Sequence, residues 1–432
     1  MFDFLLVLSP GETMIAAFFV LLALGVPVAY SLGISALLAF YLMGFGFDMM
    51  GDLLYAAVAR FSLLAIPFFI LAGVIMGYTG IAARLVYFIQ VLVGSFRGGM
   101  ALVTTVVSLF WGAVSGSGPA SVAAIGPFLI EAMDREGYDK AFATALVCTG
   151  SALAIVIPPS IALIIFGVLA DTSITGLFMA AIVPGVLMGA VILAVAWIKV
   201  WRNGWGTDAV YSRAEVWHAF KRAFWGLMTP VIILGGIYGG VFTPTEAAIV
   251  AVVYALFVGT VIYRTLDVGT LFRALGDATS ASAVVMLVIA AGGLFGWVMT
   301  AEGLIESISG ALLGLTDNEI VILLLINLIL LGIGMIMDAV TIMLISLPVL
   351  MPVVRHFDWD PTWFGVMMTV NLAIGLVTPP VGINLYVGAY IARLRFERLC
   401  VAVVPLVLAA VAGLLIIAFV PELSLWLPAF RD

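Results

Sequence analysis

The chain has 432 residues, of which 65% are hydrophobic and 9% are charged. A soluble domain carries about 25% charged residues, so this chain cannot bury its apolar surface in a water-soluble globule, and lipid must be its solvent. The formal net charge of −7 forms no tract, which argues against a nucleic-acid partner. His218 and His356 are the only histidines, and Cys148 and Cys400 lack metal-ligand spacing, so the sequence offers no typical zinc or acid-base site of an enzyme.

Apolar segments long enough to cross a bilayer recur along the chain. Five are predicted in each half: 4–24, 27–45, 61–79, 140–170 and 175–199, then 222–241, 244–264, 282–300, 362–392 and 398–420. The first has acidic flanks at Asp3 and Glu12, which indicates a retained membrane helix rather than a cleaved signal peptide, although Pro10 interrupts it. Segments 84–97 and 304–315 are too short or too polar to cross, and we expect interfacial helices there.

The chain contains an internal repeat with a constant offset of 221 positions. The recurring pairs are Pro127 with Pro348, Asp139 with Asp360, Pro158-Pro159 with Pro379-Pro380, Gly167 with Gly388, and Pro184 with Pro405. A gap-free register of rigid prolines indicates a duplication. Internal symmetry of this kind is typical of secondary transporters, whose interrupted helices at corresponding positions indicate the binding site.

The charged loops predict that the two repeats are inverted relative to the membrane. The loops 199–222 and 393–398 are both basic, so both are expected in the cytoplasm. The counterpart of the second loop in the first repeat, 171–174, holds no Lys or Arg and is expected outside. Other charges fit this topology, with Arg84, Arg97, Arg264 and Arg273 inside and Glu302, Glu306, Asp317 and Glu319 outside.

Two segments are predicted to form re-entrant helical hairpins that enter from opposite faces. In 99–131 the central sequence Ser115-Gly116-Ser117-Gly118-Pro119 stops a helix. Each arm is then about 15 residues and about 22 Å long, short of the roughly 30 Å hydrocarbon core. The segment 319–355 has the same pattern, with polar and small residues around its centre at Gly332, Gly334, Asp338 and Thr341.

Each half also carries a proline doublet inside an apolar helix. In 148–160 and 371–384 the doublet removes two amide donors, so the helix is expected to unwind at mid-membrane. Carbonyls freed in hydrocarbon cost several kcal/mol each unless they are satisfied, and a sodium ion suits such hard oxygen ligands. The helix that resumes after each doublet directs its positive end to the same place, which suits a carboxylate. The alternative is a proline kink without a ligand.

Several polar residues in the apolar segments have two interpretations. Asp338 is predicted to be an intramembrane acid with a functional role or a capping carboxylate. Asn327 and Asn371 suit interhelical hydrogen bonds, Asn384 suits packing or substrate contact, and Glu246 suits a helix cap. No Arg or Lys lies near a doublet or a hairpin centre, so an anionic cargo would be met by helix N-termini, hydroxyls and bound cations.

Four motifs carry a resemblance to a known family. They are Thr378-Pro379-Pro380-Val381-Gly382-Ile383-Asn384-Leu385, Ile157-Pro158-Pro159-Ser160, the Ser-Gly-Ser-Gly-Pro run at 115–119, and Thr243-Pro244-Thr245-Glu246-Ala247. Together they resemble the large membrane subunit of tripartite ATP-independent periplasmic (TRAP) transporters, the DctM type. The resemblance extends over essentially the whole chain. Each motif alone is weak, and the set is specific.

The resemblance implies an all-α polytopic membrane protein of the elevator type, with two inverted repeats and a transport domain that moves across a scaffold. Scaffold helices are expected at 1–98 and, with a cytoplasmic loop at 200–221, at 175–318. The transport halves are expected at 99–174 (hairpin 99–131, broken helix 140–170) and at 319–397 (hairpin 319–355, broken helix 362–392). A C-terminal helix is expected at 398–432.

The resemblance also implies two sodium sites. The first would involve Ser115, Gly116 and Ser117 with backbone near Gly150 and Pro158. The second would involve Gly334, Asp338 and Thr341 with backbone near Thr378, Pro379 and Gly382. Ser160 and Asn384 are expected to border the cargo space. Since Val381 stands opposite Ser160 in the repeat, the two ion sites need not be chemically equivalent.

The function implied by the resemblance is sodium-coupled import of an organic acid, such as a C4-dicarboxylate, sialic acid or a related carboxylate. Na+ is the expected coupling ion, no organic cofactor is expected, and the chain is expected not to be an enzyme. The expected partners are a small four-helix membrane subunit (DctQ type) and a periplasmic substrate-binding protein that delivers the acid.

The implied location is the inner (cytoplasmic) membrane of a bacterium or archaeon, with several membrane passes. Because 432 residues leave no room for a fused small subunit, a separate one is expected. The nearest alternative is a stand-alone sodium/dicarboxylate symporter of related hairpin architecture. A channel fits poorly, because symmetric broken helices with hairpins suit alternating access.

Overall fold

The computed structural model describes residues 8–94, 98–206 and 211–430. No β-strand occurs in these ranges. The α-helices in chain order are α1 (Pro10–Ala23), α2 (Val28–Leu42), α3 (Phe47–Val58), α4 (Ala65–Tyr78), α5 (Ile81–Val93), α6 (Gly99–Ser115), α7 (Gly118–Arg135), α8 (Lys140–Ala152), α9 (Ile161–Leu169), α10 (Ile174–Asn203), α11 (Arg213–Tyr238), α12 (Pro244–Phe257), α13 (Val268–Ala301), α14 (Leu304–Leu313), α15 (Glu319–Gly334), α16 (Ala339–His356), α17 (Pro361–Gly375), α18 (Ile383–Ala392), α19 (Phe396–Phe419) and α20 (Glu422–Leu425). The predictions that concern Asp3, residues 4–7 and Arg97 lie outside the described residues.

Seven helices of the described chain are long and apolar enough to cross a membrane. They are Phe61–Tyr78, Ile174–Asn203, Arg213–Tyr238, Pro244–Ile262, Val268–Ala301, Ala339–His356 and Phe396–Phe419. Six of these helices are predicted spans, whereas the seventh, Ala339–His356, is the second arm of the hairpin 319–355, whose arms were predicted to be too short to cross. This arm reaches 18 residues because the helix continues through Pro348 and Pro352, so the predicted limit on arm length does not hold for it. The other four predicted spans are shorter helices, because α1 and α2 have 14 and 15 residues and each proline doublet divides one span into two pieces. The fold is therefore that of an all-α polytopic membrane protein.

Helices α1, α11 and α13 begin furthest from their predicted positions, each for a local reason. Helix α1 begins at Pro10, where the missing amide costs nothing, and Ser9 and Glu12 form a capping box. Pro10 therefore starts the described helix and does not break α1, while the part of the predicted span at 4–7 lies outside the described residues. Helices α11 and α13 begin earlier than predicted, after the capping residues Ser212 and Asp267. Hydropathy marks only the apolar part of a helix, whereas the cap marks its first turn.

The short helix α3 has no counterpart among the predicted elements. Its 12 residues include two acids and a glycine, so it lacks the length and the apolar character that identify a span. It packs on α13, where a Cβ at Gly293 would lie 2.4 Å from the Cβ of Ala57. Helices α5 and α14 lie at the two positions predicted for short interfacial helices.

The duplication is visible in the helix boundaries. Helices α7 and α16 begin and end 221 residues apart. Helices α8 and α17 also begin 221 residues apart, and Asp139 and Asp360 cap them with their side chains. The preceding turns correspond as well, since Gly137 and Asp358 both have positive φ, at 80° and 54°. The inversion of the two repeats relative to the membrane stays a prediction.

The helices pack in two groups. Helices α1–α5 and α11–α14 pack on one another, for example α4 on α12 and α2 on α13, and we call them the frame bundle. Helices α6–α10 and α15–α19 form the hairpin bundle, in which α8 contacts α7 and α19 and α17 contacts α15 and α10. Helices α10 and α19 thus pack on the broken helices. From the sequence, 175–199 is predicted to belong to the scaffold and 398–432 to form a separate C-terminal helix. The two bundles meet mainly where α5 contacts α6 and where α13 and α14 contact α16.

Candidate functional site

The first break, residues 153–160 between α8 and α9, is closed by a hydroxyl group. Ser160 caps α9, because its Oγ accepts a hydrogen bond from the amide of Leu163 at 3.2 Å. The same Oγ donates to the carbonyl of Ile155. Pro158, Pro159 and Ser160 are all buried. The Ser160 hydroxyl, which the resemblance places at the cargo space, therefore links the start of α9 to the backbone on the other side of the break.

The second break, residues 376–382 between α17 and α18, is closed differently. The Thr378 Oγ1 donates to the carbonyl of Ile374 at 2.7 Å. Gly382 precedes α18 in a left-handed conformation with φ of 57°, which glycine tolerates well, and it offers no capping side chain. Pro380 is exposed, whereas the equivalent Pro159 is buried. In both breaks the peptide bond between the two prolines is cis.

The first hairpin tip, residues 115–118, lies against the first break. Helix α6 ends at Ser115 and α7 begins at Gly118, as the serine-glycine pattern predicted. A Cβ at Gly116 would lie 3.0 Å from the carbonyl oxygen of Pro159, and Gly116 has a φ of 61°, so this turn requires glycine. The Ser115 Oγ donates to the carbonyl of Ser117 at 3.3 Å. The structure thus brings these tip residues next to the proline doublet.

Gly150, also predicted for this site, contacts a residue that the sequence did not indicate. It lies on α8 against α6, where a Cβ would be 2.7 Å from the Oγ of Ser108. The Oγ atoms of Ser108 and Ser151 are buried and have no hydrogen-bond partner in the described structure. A buried hydroxyl without a partner is costly, so both are candidates for a bound ion or water. A single serine in an apolar helix does not by itself predict a binding site. Ser108 is identified only by its contact with Gly150, which becomes visible in the structure.

The second hairpin tip, residues 335–338, lies against the end of α17. A Cβ at Gly375 would be 2.6 Å from the carbonyl oxygen of Gly334, so the two backbones touch. Asp338 caps α16, because its Oδ1 accepts from the amides of Val340 at 3.0 Å and Thr341 at 3.1 Å. Its Oδ2 accepts from the Thr341 hydroxyl at 2.6 Å. The capping role is confirmed, and the ion-binding role stays a prediction.

Asn384 connects the two halves at the first hairpin tip. Its side chain is buried, and its Nδ2 donates to the carbonyl of Cys148 at 3.1 Å, while the Cys148 thiol donates to the carbonyl of Asn384 at 3.2 Å. The Oδ1 has no partner among the described residues, and a Cβ at Gly118 would lie 2.9 Å from it. Since Gly116 touches the first break, this tip lies between the first break and α18.

Two other polar predictions are confirmed. The Nδ2 of Asn371 donates to both the Oδ1 and the backbone carbonyl of Asn327, each at 2.9 Å, which is an interhelical hydrogen bond between α17 and α15. Glu246 forms a capping box with Thr243 at the start of α12. Asn371 occupies the position equivalent to Gly150. This position is filled by the hydrogen-bonded pair Asn371–Asn327 in the second repeat and by the contact of Gly150 with Ser108 in the first.

The residues gathered at both tips offer oxygen ligands. The first tip offers hydroxyls and backbone carbonyls, and the second adds the half-buried carboxylate of Asp338. Hard oxygen ligands suit Na+ better than a transition metal. Among the described residues, no group of three or more His, Cys, Asp and Glu side chains could hold a metal ion.

An all-helical membrane protein with a duplicated unit, in which each hairpin tip packs on a broken helix, has the construction of a secondary transporter. The chain belongs to the DctM family, described as the DctM component of the tripartite ATP-independent periplasmic transporter, whose model matches residues 15–423. The family resemblance carried by the motifs is thereby confirmed, and the protein is a transporter permease rather than an enzyme.

Individual relatives agree with this membership. The chain is 41% identical over 421 residues to the isethionate TRAP transporter permease protein DctMQ of Oleidesulfovibrio alaskensis, covering 97% of this chain and 66% of that protein. It is 40% identical over 403 residues to the 2,3-diketo-L-gulonate TRAP transporter large permease protein YiaN of Escherichia coli K12, covering 93% and 95%. The solved structure of the Alcanivorax borkumensis YdaH transporter has the same fold, with a TM-score of 0.67 at 15% identity over 98% of this chain and 100% of that one.

Proposed function

We propose that this chain is the ion-translocating large subunit of a sodium-coupled organic-acid importer in the inner membrane of a bacterium or archaeon. A small four-helix membrane subunit and a periplasmic binding protein would complete the assembly. The names of two relatives support the cargo class, because isethionate is a sulfonate and 2,3-diketo-L-gulonate is a carboxylate. The cargo is therefore a small organic anion, and the class extends beyond carboxylates.

The observation that carries this proposal is the packing of each hairpin tip on the neighbouring broken helix. In the first half the ligands would come from Ser115, Ser117 and the carbonyls of the first break. In the second half they would come from Asp338, Thr341 and Thr378. A sodium ion at either place would bind the hairpin to the broken helix, and its departure would leave carbonyls that hydrocarbon cannot solvate.

The charge balance of the same region supports sodium coupling. Neither hairpin tip nor break contains Lys or Arg, while Asp338 adds a negative charge. An anionic cargo at this place needs a positive partner, and bound sodium supplies it. Cargo and sodium would then raise each other's affinity, which is the coupling that an importer requires.

The moving unit is the hairpin bundle, including α10 and α19. Both helices pack on the broken helices and would travel with them, which enlarges the transport domain expected from the sequence. Along the frame bundle, a Cβ at Gly73 of α4 would lie 3.4 Å from the carbonyl oxygen of Val114 and 3.5 Å from the Cα of Ser115. A frame helix thus lies directly beside the first hairpin tip. Displacement of the hairpin bundle past α4 would carry the tips and breaks from one side of the membrane to the other.

Reconstitution in liposomes tests this function. The chain is combined with a small TRAP membrane subunit and a periplasmic binding protein, and uptake of isethionate and 2,3-diketo-L-gulonate is measured. We expect uptake driven by an inward sodium gradient and little uptake when potassium replaces sodium. Equal uptake in potassium would contradict sodium coupling, and robust uptake by the chain alone would favour the stand-alone symporter over the tripartite assembly.

A further inference from the structure

A polar cavity of about 410 Å³ lies between the two bundles, at the end of α9 remote from the first break. Its wall includes Arg60, which follows α3, and the starts of α10 and α12. Arg60 also borders a second cavity of about 330 Å³ whose walls come from α3, α9, α13 and α16. None of these positions belongs to the sodium and cargo sites proposed above.

Arg60 is a cation with unused hydrogen-bond donors. Its Nη1 donates to the carbonyl of Val168 in the last turn of α9 at 3.0 Å. It is exposed, and it makes no ion pair with any residue in the described ranges. A guanidinium has five N–H donors, so one hydrogen bond to the backbone leaves most of them for a ligand. Its planar fork suits bidentate binding of a carboxylate or a similar oxyanion.

Two helix starts add donors to the same cavity. Thr175 lies in the first turn of α10 and Thr245 in the first turn of α12, and both line the cavity. Thr245 is only 4% exposed, and its hydroxyl makes no hydrogen bond to a described residue. The first amides of a helix have no acceptor within it, and at the start of α10 they carry a partial positive charge that favours anions. At the start of α12 the capping carboxylate of Glu246 offsets this charge, so α12 contributes the Thr245 hydroxyl as a donor.

One acid also borders the cavity. Asp171 is exposed, has a φ of 52°, and is not ion-paired with Arg60. A carboxylate in the wall of the same cavity as a guanidinium repels a simple dianion and accepts hydrogen bonds from hydroxyl groups. Both acids named for the relatives bear hydroxyl groups as well as an acid group.

We propose that this cavity binds a small hydroxylated organic anion through its carboxylate or sulfonate group. Arg60 binds the acid group, Thr175 and Thr245 add hydrogen bonds, and Asp171 accepts from a hydroxyl of the ligand. The identity of the ligand as cargo rests on the proposed function. In the predicted topology residues 60 and 171 face outside, so this site would hold the acid before it reaches the breaks.

Thiol labelling of the full chain tests the site without requiring transport. Ser62 lines the cavity and is changed to cysteine in a Cys400→Ala background. Its reaction rate with the anionic 2-sulfonatoethyl methanethiosulfonate is divided by its rate with the cationic 2-(trimethylammonio)ethyl methanethiosulfonate. We expect Arg60→Gln to lower this ratio at least about fivefold and Asp171→Asn to raise it, because each removes one charge near the thiol. Arg355→Gln, a cation outside both cavities, is the matched control and should leave the ratio unchanged.

Protection by isethionate completes the test. Isethionate should slow the labelling of Ser62→Cys, and this protection should disappear in Arg60→Gln and weaken in Arg60→Lys, which keeps the charge and loses the planar fork. An unchanged labelling ratio in Arg60→Gln, or protection that persists there, would show that Arg60 only caps α9 and would overturn the proposal. Labelling needs no sodium gradient, so its failure is distinguishable from failure of sodium-driven uptake.

Discussion

The two breaks have the same backbone plan and different surroundings. Each follows a helix capped by an aspartate, and each lies against a hairpin tip. The first break is buried and closed by the Ser160 hydroxyl, whereas the second ends at Gly382, which precedes α18 without a capping side chain, and leaves Pro380 exposed. The proline doublet thus determines where the helix unwinds, and the residues around it determine what the unwound segment contacts.

The hairpin tips differ in the same way. Ser117 and Asp338 occupy equivalent positions, 221 residues apart, and each precedes the second arm of its hairpin. Ser117 makes no side-chain capping bond, whereas the carboxylate of Asp338 accepts three hydrogen bonds. We infer that the second site attracts a cation more strongly than the first, since only the second has a formal negative charge among its expected ligands.

The largest expected contrast is in access to the two breaks. Ser160 and Val381 are equivalent positions, and Ser160 is 0% exposed while Val381 is half-buried. In a Cys400→Ala background, Val381→Cys should react with a maleimide at least about 100-fold faster than Ser160→Cys, because a buried thiol reacts only after a local opening that costs a few kcal/mol. Mass spectrometry of the labelled protein measures both rates, and equal rates would remove the distinction between the breaks.

The next contrast concerns the hairpin tips. Asp338→Asn keeps a good capping residue and removes the charge, so α16 should remain intact while the second sodium site weakens. We expect the sodium concentration for half-maximal uptake to rise at least about tenfold, because the site loses its only charged ligand. Ser117→Ala at the equivalent position should raise it less. Sodium activation curves in liposomes measure both, and a larger effect of Ser117→Ala would reverse the assignment of the stronger site.

The smallest contrast concerns the glycines that let the tips approach. Gly375→Ala places a methyl group against the Gly334 backbone, and we expect a loss of about 1–3 kcal/mol in the free energy of unfolding. Gly150→Ala meets the Ser108 side chain instead, so the added change Ser108→Gly should restore stability. Thermal unfolding in detergent measures these losses. Failure of Ser108→Gly to rescue Gly150→Ala would show that this contact does not limit the packing.

Sequence predicted the parts of the site that depend on local backbone chemistry. Single prolines such as Pro184 and Pro405 stand inside helices, whereas each proline doublet lies in a break between two helices. The two breaks and the first hairpin tip were therefore predictable from the doublets and from the serine-glycine run, and the capping box of Thr243 and Glu246 is likewise local. The pairing of Asn327 with Asn371 was also predictable in kind, because a buried amide in an apolar helix needs a partner.

The remaining features depend on contacts between distant segments. The buried hydroxyl of Ser108 is visible only through Gly150 on another helix, and the cavity at Arg60 requires the approach of Val168, 108 positions away. The grouping of α10 and α19 with the broken helices is likewise a matter of packing. The apolar pattern of a membrane protein predicts where each helix lies in the sequence. It does not predict which helices pack together, because surfaces that face lipid and surfaces that face protein contain similar residues.

The ratio of sodium to acid taken up tests the central claim that each break, with its hairpin tip, holds a sodium ion. Radiolabelled sodium and radiolabelled acid are followed together in liposomes that contain the assembled transporter. We predict at least two sodium ions for each acid molecule, one from each break, and a lower ratio in Asp338→Asn. Acid uptake that proceeds with no accompanying sodium would contradict the account.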